Sequence, residues 1–430
     1  MTIKRLKYAI IFFYLALFVF LGLYDERLNP ELAHELAKPR PKVVEPGNAW
    51  LAMLGIDAPA GTSSVAAGEK QIRDLDRAIR GGKSTAEIIS ASFNDKNRLA
   101  LKGKLPSFYG KENTGILAYV TTHPDETATL CRDNADLLDR YEQLLSLARY
   151  AEPLAYGDYA PVPRFASTNQ AQELKMLRIA VQAYHGGTTA ALTELQRDMN
   201  YWRFVASSSA TLIPKFIAFR ALSFDLRVAA EIAVSGALSK REQMLIQEIL
   251  KPFDKGENSV AGVLRREALY DHYGLELTTW NTLKPWSPAR LIFKHNATSN
   301  RLYAYFDEVA RLAELPPQRY AEEQKQKAMK KIGLAALYNS MGEILAQIAI
   351  PQCFAYIEKG HNIEGLRRLA LLKVMAHAEN IAPERMQAFI DAHAADLGNP
   401  YTGKPMTWDP KARRISFPKL SEDGSVELYL

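Results

Sequence analysis

Behind Lys4, Arg5 and Lys7 the chain turns apolar at Ala9 and carries no charge until Asp25, with Tyr24 closing the run. A basic flank ahead of an apolar segment is retained on the cytoplasmic side, so the remainder is expected to be exported. The run is short for a spanning helix, which needs ~20 apolar residues. Tyr8 and Tyr24, as interfacial aromatics, bring it into range. A cleaved signal would need small residues just past the run. Leu21-Gly22-Leu23-Tyr24-Asp25 lacks an Ala-x-Ala pattern, so an uncleaved anchor is favoured over a cleaved signal. This divides the start of the chain into a cytoplasmic tail (1–8) and a single-pass transmembrane helix (9–24).

Downstream, the apolar spacing is helical. Residues 25–47 hold Pro30, Pro39, Pro41 and Pro46 among charges and read as a tether. Trp50 to Ile56 is an apolar cluster that should dock onto the body, so 25–66 reads as a periplasmic tether with a docking segment. A helical domain over 67–395 follows. Ser167 with Gln170 marks a capping-box start, and Leu174, Leu177, Val181 and Tyr184 share one face. Gly186-Gly187 ends that helix, and Leu192, Leu195, Met199 and Trp202 define the next. Further helices are expected near 212–234 and from Ser239–Glu242 to Leu250, stopped by Pro252. Hairpins with short links predict a mainly α, solenoid-like array. Gly81-Gly82-Lys83-Ser84 has the look of a P-loop end without its upstream glycine, and reads as a helix stop before a cap at Ser84. Residues 332–357 carry only Glu343 as a charge, but amides and Pro351 argue for a wholly buried helix rather than a second span. Helices near 362–378 and 383–393 follow. Residues 396–430 switch to turn chemistry and three short apolar runs near 406–408, 414–417 and 426–428, which predict a small antiparallel β cap.

Composition is that of a globular chain with a sizeable core: 47% hydrophobic and 24% charged. The N-terminal flank supplies three of the net +6 charges, so the body is nearly neutral and shows no concentrated basic face for nucleic acid. Cys131 and Cys353 read equally as a disulfide pair, which a periplasm permits, or as two separate buried thiols.

No local motif fixes a reaction. There is no HExxH, G-x-S-x-G or Ser-x-x-Lys. His377, Glu379, Asp391 and His393 fall across one expected hairpin but read as polar helix faces. Asp271 and His272 are adjacent and would not face each other on a helix. No metal or cofactor is therefore expected. Residues 275–300 break the helical pattern and read as an irregular connection with a candidate short strand at Leu291-Ile292-Phe293, and Trp280 and Trp286 there either line a pocket or plug the core. Tyr201 and Arg203, at the end of the second helix, are the binding candidates, with exposure expected for both. The competing reading pairs Arg203 with an acid on a neighbouring helix.

The stretches NPYTGKPMTWDPKARRISF and AYHGGTTAALTELQRDMNYWRFVASSSATLIPKF resemble the helical part and C-terminal turn of uncharacterised bacterial envelope proteins, over roughly half the chain. The tail is also similar to the C-terminal strands of major pseudopilins, whose acidic residues help bind calcium. That resemblance would implicate Asp396 or Asp409, but the pilin processing site and the glutamate within the apolar helix are missing here. Together these features lead to the expectation of an inner-membrane protein whose periplasmic body binds or scaffolds envelope proteins or peptides. A periplasmic hydrolase acting on cell-wall material, its site assembled from distant residues, is the alternative. A reporter enzyme that works only outside the cytoplasm, fused after Leu430, is expected to be active. A reporter active only in the cytoplasm would refute the topology.

Overall fold

The computed structural model describes residues 6–8, 10–14, 16, 24–39, 41–81, 98–109, 115–153, 162–275, 287, 289–326, 339–421 and 424–430. The expected anchor (9–24) lies in large part outside these residues, as do Trp280, Trp286 and the segment following Gly81. Among the described residues no helix is long and apolar enough to cross a membrane.

The protein is mainly helical, with a three-stranded antiparallel sheet at its end. The described helices are α1 (Pro30–Leu36), α2 (Ala49–Leu54), α3 (Ser64–Arg80), α4 (Ile116–Thr122), α5 (Pro124–Asp133), α6 (Ala135–Leu144), α7 (Phe165–Tyr184), α8 (Thr188–Ser208), α9 (Leu212–Val234), α10 (Lys240–Ile249), α11 (Lys255–Asn258), α12 (Ala261–Leu275), α13 (Ala289–Ile292), α14 (His295–Ala313), α15 (Pro317–Gln326), α16 (Ser340–Ala378), α17 (Met386–Ala392) and α18 (Ala394–Leu397). The strands are β1 (Thr407–Asp409), β2 (Arg414–Pro418) and β3 (Ser425–Tyr429), in the order β1-β2-β3.

Local signals account for several boundaries. Gly186 takes a positive φ of 83°, and Gly187 N–H returns to Gln182 O (2.9 Å), closing α7 before α8 begins. Ser239 and Glu242 form the expected capping box at α10. Elsewhere the pattern misled. α7 begins at Phe165, ahead of the expected cap Ser167, and Arg164 precedes it without a side-chain cap. Residues 289–292 are helical, not the short strand that the apolar run 291–293 suggests.

The largest correction concerns α16. Its 39 residues run straight through Pro351, merging two expected helices. Pro351 removes one internal hydrogen bond, and packing on α9, α14 and β3 offsets that loss. Nor is this stretch wholly buried, because Met341, Ile344 and Leu345 are exposed.

α9 occupies the centre. It packs against α4, α7, α8, α10, α12 and α16, and most of its buried residues are apolar, with Lys215 and Asp225 as buried exceptions. Ala218, Ala221, Ala229 and Ala230 keep its girth small enough for these neighbours. The sheet sits on α16, where Gly365 leaves room for the Phe417 ring: a Cβ there would come within 2.2 Å of it. The turn ahead of β1 is tied down by Asn399, whose Oδ1 accepts from Tyr401 N–H (2.8 Å), while Tyr401 donates its hydroxyl to Asn362 (2.8 Å).

Residues 25–47 do not stand away from the body. Asp25 accepts from the N–H groups of Asn296 (2.9 Å) and Ala297 (3.1 Å), and Asn29 N–H donates to Asn300 (2.7 Å). Leu32 and Val43 are buried. Asn48, with no exposed surface, donates to Val43 O (2.8 Å) and Ala151 O (2.9 Å) and accepts from Ala151 N–H (3.0 Å). A segment read as a tether is thus a strap, because its polar groups find partners on α14 and on the Arg149–Ala151 stretch beyond α6. Trp50 to Ile56 lies buried behind it.

Arg203 is the clearest case of a side chain consumed by structure. Its guanidinium donates to Lys251 O, Pro252 O (3.2 Å) and Glu257 (3.1 Å) and lies over the Phe253 ring, satisfying the carbonyl end of α10. Arg203→Ala is expected to lower unfolding free energy by ~3 kcal/mol, since it leaves Glu257 and two carbonyls without their partner. Urea denaturation measures this, and a loss below about 1 kcal/mol would refute the role.

Candidate functional site

A groove of about 800 Å³ lies among the described residues where several helix ends meet: the last turn of α8, the Pro252–Ser259 stretch, the start of α12, the Ala313–Pro317 link and one face of α16. Its shape follows from the sequence. Pro252, Pro316 and Pro317 stop or redirect helices, so backbone rather than packed side chains lines part of the wall. Gly360 lets α16 meet that wall, since a Cβ there would lie 2.1 Å from Asn258 O.

The lining is basic. Lys215, Lys255, Arg265, Arg266 and Arg368 face it against Glu314 and Glu364. Arg265 is held by Asp307 (3.0 Å) and Glu314 (2.7 Å), and Arg368 by Glu364 (3.1 Å). Lys255 and Arg266 are exposed, and neither has a carboxylate partner among the described residues. Lys215 is buried, and its Nζ donates to Ala206 O (2.6 Å) and Gly256 O (2.7 Å). Burial lowers its pKa to about 7. His361 also lines the groove. Burial pushes its pKa down to about 4, so it is neutral at pH 7, and its Nε2 has no hydrogen-bond partner among the described residues.

Two carboxylate clusters lie elsewhere. Asp198 on α8 and Asp225 on α9 have no exposed surface. Tyr141 donates to Asp198 (3.2 Å) and Gln172 to Asp225 (3.0 Å), and Trp202 in turn donates to Tyr141 (2.8 Å). Burial raises both pKa values, Asp198 to about 7, with repulsion from Asp198 adding to the rise at Asp225. The second cluster surrounds the start of α9. Glu152 accepts from Ala210 N–H (2.8 Å), Thr211 N–H (3.1 Å) and the Thr211 hydroxyl (2.6 Å). Glu267 accepts from Leu212 N–H (2.6 Å), and its pKa rises to about 7 through burial and then the nearby Asp271 and Glu152. Glu152, Glu267 and Trp50 line a cavity of only about 90 Å³. That is well below the ~300 Å³ at which ligand pockets begin. These carboxylates are engaged as helix caps.

The residues singled out from sequence scatter. Tyr201 and Arg203, expected to be exposed, are both buried. Their helix face is covered because α8 packs on α7, α9, α10 and α11. Tyr201 still borders a shallow depression with Leu147, Arg197 and Phe204. Cys131 and Cys353 are not joined in a disulfide. Asp409 shapes a turn by accepting from Lys411 and Ala412 N–H (3.0 and 3.1 Å). Among the described residues no group of three or more His, Cys, Asp or Glu side chains is placed to hold a metal. His272 turns away from Asp271 to Ser299 (2.9 Å), and Ser299 is fully buried. The groove itself escaped sequence reading because its cations come from α9, α11, α12 and α16. The one local signal was the cluster of Pro and Gly at helix ends.

A raised carboxyl pKa means that the folded state holds its proton more tightly than the unfolded chain. The contribution of Asp198 is therefore greatest below about pH 4 and is lost as pH rises toward 7, and Asp225, also raised, loses stability in the same direction. The neutral His361 works oppositely, gaining stability from about pH 4 to 6.5. The comparison that isolates the pair is Asp225→Asn, which retains a polar group without the second ionisation. The parent is expected to lose urea stability relative to Asp225→Asn between pH 5 and pH 8, and parallel pH profiles would refute the raised pKa of the buried pair. Compared with protein-family models, curated proteins and solved structures, the chain matches none.

Proposed function

We propose that this is a single-pass inner-membrane protein whose exported helical body binds an envelope protein or peptide through the α8–α12–α16 groove. The observation that carries this reading is the groove's size together with its excess of basic side chains, of which Lys255 and Arg266 are exposed with no carboxylate partner among the described residues. A volume of about 800 Å³ lies in the range of ligand sites. A basic lining selects an acidic segment and raises its rate of encounter. Within residues 165–249, α7, α8 and α9 pack on one another, α10 lies against α8, and α16 packs on α9 and supplies the far wall of the groove. The proposed occupant is an extended acidic peptide, with Lys255 and Arg266 as its first contacts and His361 Nε2 as a deeper polar contact.

The hydrolase alternative draws on one observation, the convergence of Glu152 and Glu267 on a common cavity. Its small volume and the capping bonds of both carboxylates weigh against it. Lys255→Glu with Arg266→Glu tests the binding reading, because both side chains are exposed and their loss should leave the fold intact. Crosslinking in membranes is expected to recover the partner at roughly tenfold lower yield, a change of ~1.4 kcal/mol. An unchanged partner set would refute the groove. Release of soluble fragments from purified cell wall, abolished by Glu267→Gln, would support the hydrolase instead.

A further inference from the structure

Beyond the groove, the structure holds an exposed apolar face beside the point where the N-terminal run meets the body. Ile292 is 44% exposed, Met341 40%, Ile344 51% and Leu345 36%, and Tyr24 is 47% exposed. On α16, Met341, Ile344 and Leu345 fall at i, i+3 and i+4 and so share one face. The opposite side of the same turn faces inward: Glu343 pairs with Arg301 on α14 (3.2 Å), and Ala346 is buried. The sequence adds no charge between Glu343 and Glu358.

The location of this face is fixed by hydrogen bonds. Asp25 is bound to the N–H groups of residues 296 and 297. Asn339, just ahead of α16, accepts from Lys294 N–H (2.9 Å) and donates to Thr298 (2.9 Å). The end of the apolar run and the start of α16 are therefore held on the same turn of α14, which spans ~5.4 Å. Asn296 Nδ2 to Glu26 O and Asn300 Nδ2 to Arg27 O, both 2.9 Å, extend the fastening. No slack remains between Tyr24 and the body.

We infer that the Met341, Ile344 and Leu345 face, with Ile292, rests in the interfacial region of the same bilayer that the N-terminal run enters. The inference rests on the anchor reading of residues 9–24. If that run spans the membrane, Tyr24 lies at headgroup level, and Asp25 brings the first turns of α14 and α16 down beside it. Apolar side chains at that depth replace water with the boundary between headgroups and acyl chains, as amphipathic surface helices do. The body is thus seated on the membrane with a set orientation, and residues 25–47 act as its fastening.

The full-length chain in its native membrane tests this. Photoreactive benzoylphenylalanine is installed at Ile344, or at Met244 on α10 as an exposed control. Adducts are read by mass, and membrane retention is read by carbonate extraction. The expected result is a phospholipid adduct at position 344, at least roughly tenfold above that at 244, in a carbonate-resistant chain. Retention without a lipid adduct at 344 would overturn the inference and leave the anchor reading standing. A 344 adduct formed instead with a second copy or another protein would overturn it as well. Release by carbonate would remove the anchor reading and this inference with it.

Discussion

Helix N-termini buried without local caps impose the constraint on which this structure turns. The first N–H groups of a helix have no intrahelical acceptor and are costly to bury unsatisfied. At α9, packed against six other helices, Thr211 provides no side-chain cap, and Glu152 and Glu267 supply the missing acceptors from far along the chain. Glu231 does the same for α4 through Leu117 N–H (2.9 Å), and Asp25 for α14. A negative carboxylate also suits the positive end of the helix dipole. Each such bond fixes the position of one segment on another, so the caps act as the joints of the architecture.

These joints have an electrostatic consequence. Carboxylates drawn in to cap buried helix ends lose solvation, and burial raises the pKa of Glu152, Glu231 and Glu267. Strongly shifted acids therefore appear in this fold for structural reasons. A raised carboxyl pKa alone does not identify a reaction centre here, whereas the groove is distinguished by open volume and by cations without carboxylate partners. The same logic explains Arg203 and Arg367, which close the carbonyl end of α10: Arg367 donates to Leu250 O (2.9 Å) and Arg203 to Lys251 O and Pro252 O.

The strap formed by residues 25–47 changes how the body would relate to a membrane. A flexible tether would let a binding surface sample many orientations. A fastened strap holds it in one, so the groove and the apolar face keep a constant relation to each other. On the proposed reading, a domain seated in this way would present its groove at a defined angle to its partners.

Local chemistry in the sequence determined the helical class, the α7–α8 turn at Gly186-Gly187, the capping box at Ser239 and the three C-terminal strands. Each depends on contacts within a few residues, where backbone preference and hydrophobic period decide the outcome. Tertiary structure decided the rest. Pro351 lies inside a continuous helix because packing along α16 outweighs one lost hydrogen bond. Tyr201 and Arg203 are buried because four neighbouring helices converge on α8, and residues 25–47 are fastened by partners some 270 positions away. The cations of the groove likewise come from four separate helices. A bond between residues so distant leaves no periodicity in the sequence, and only the folded chain brings its two ends together.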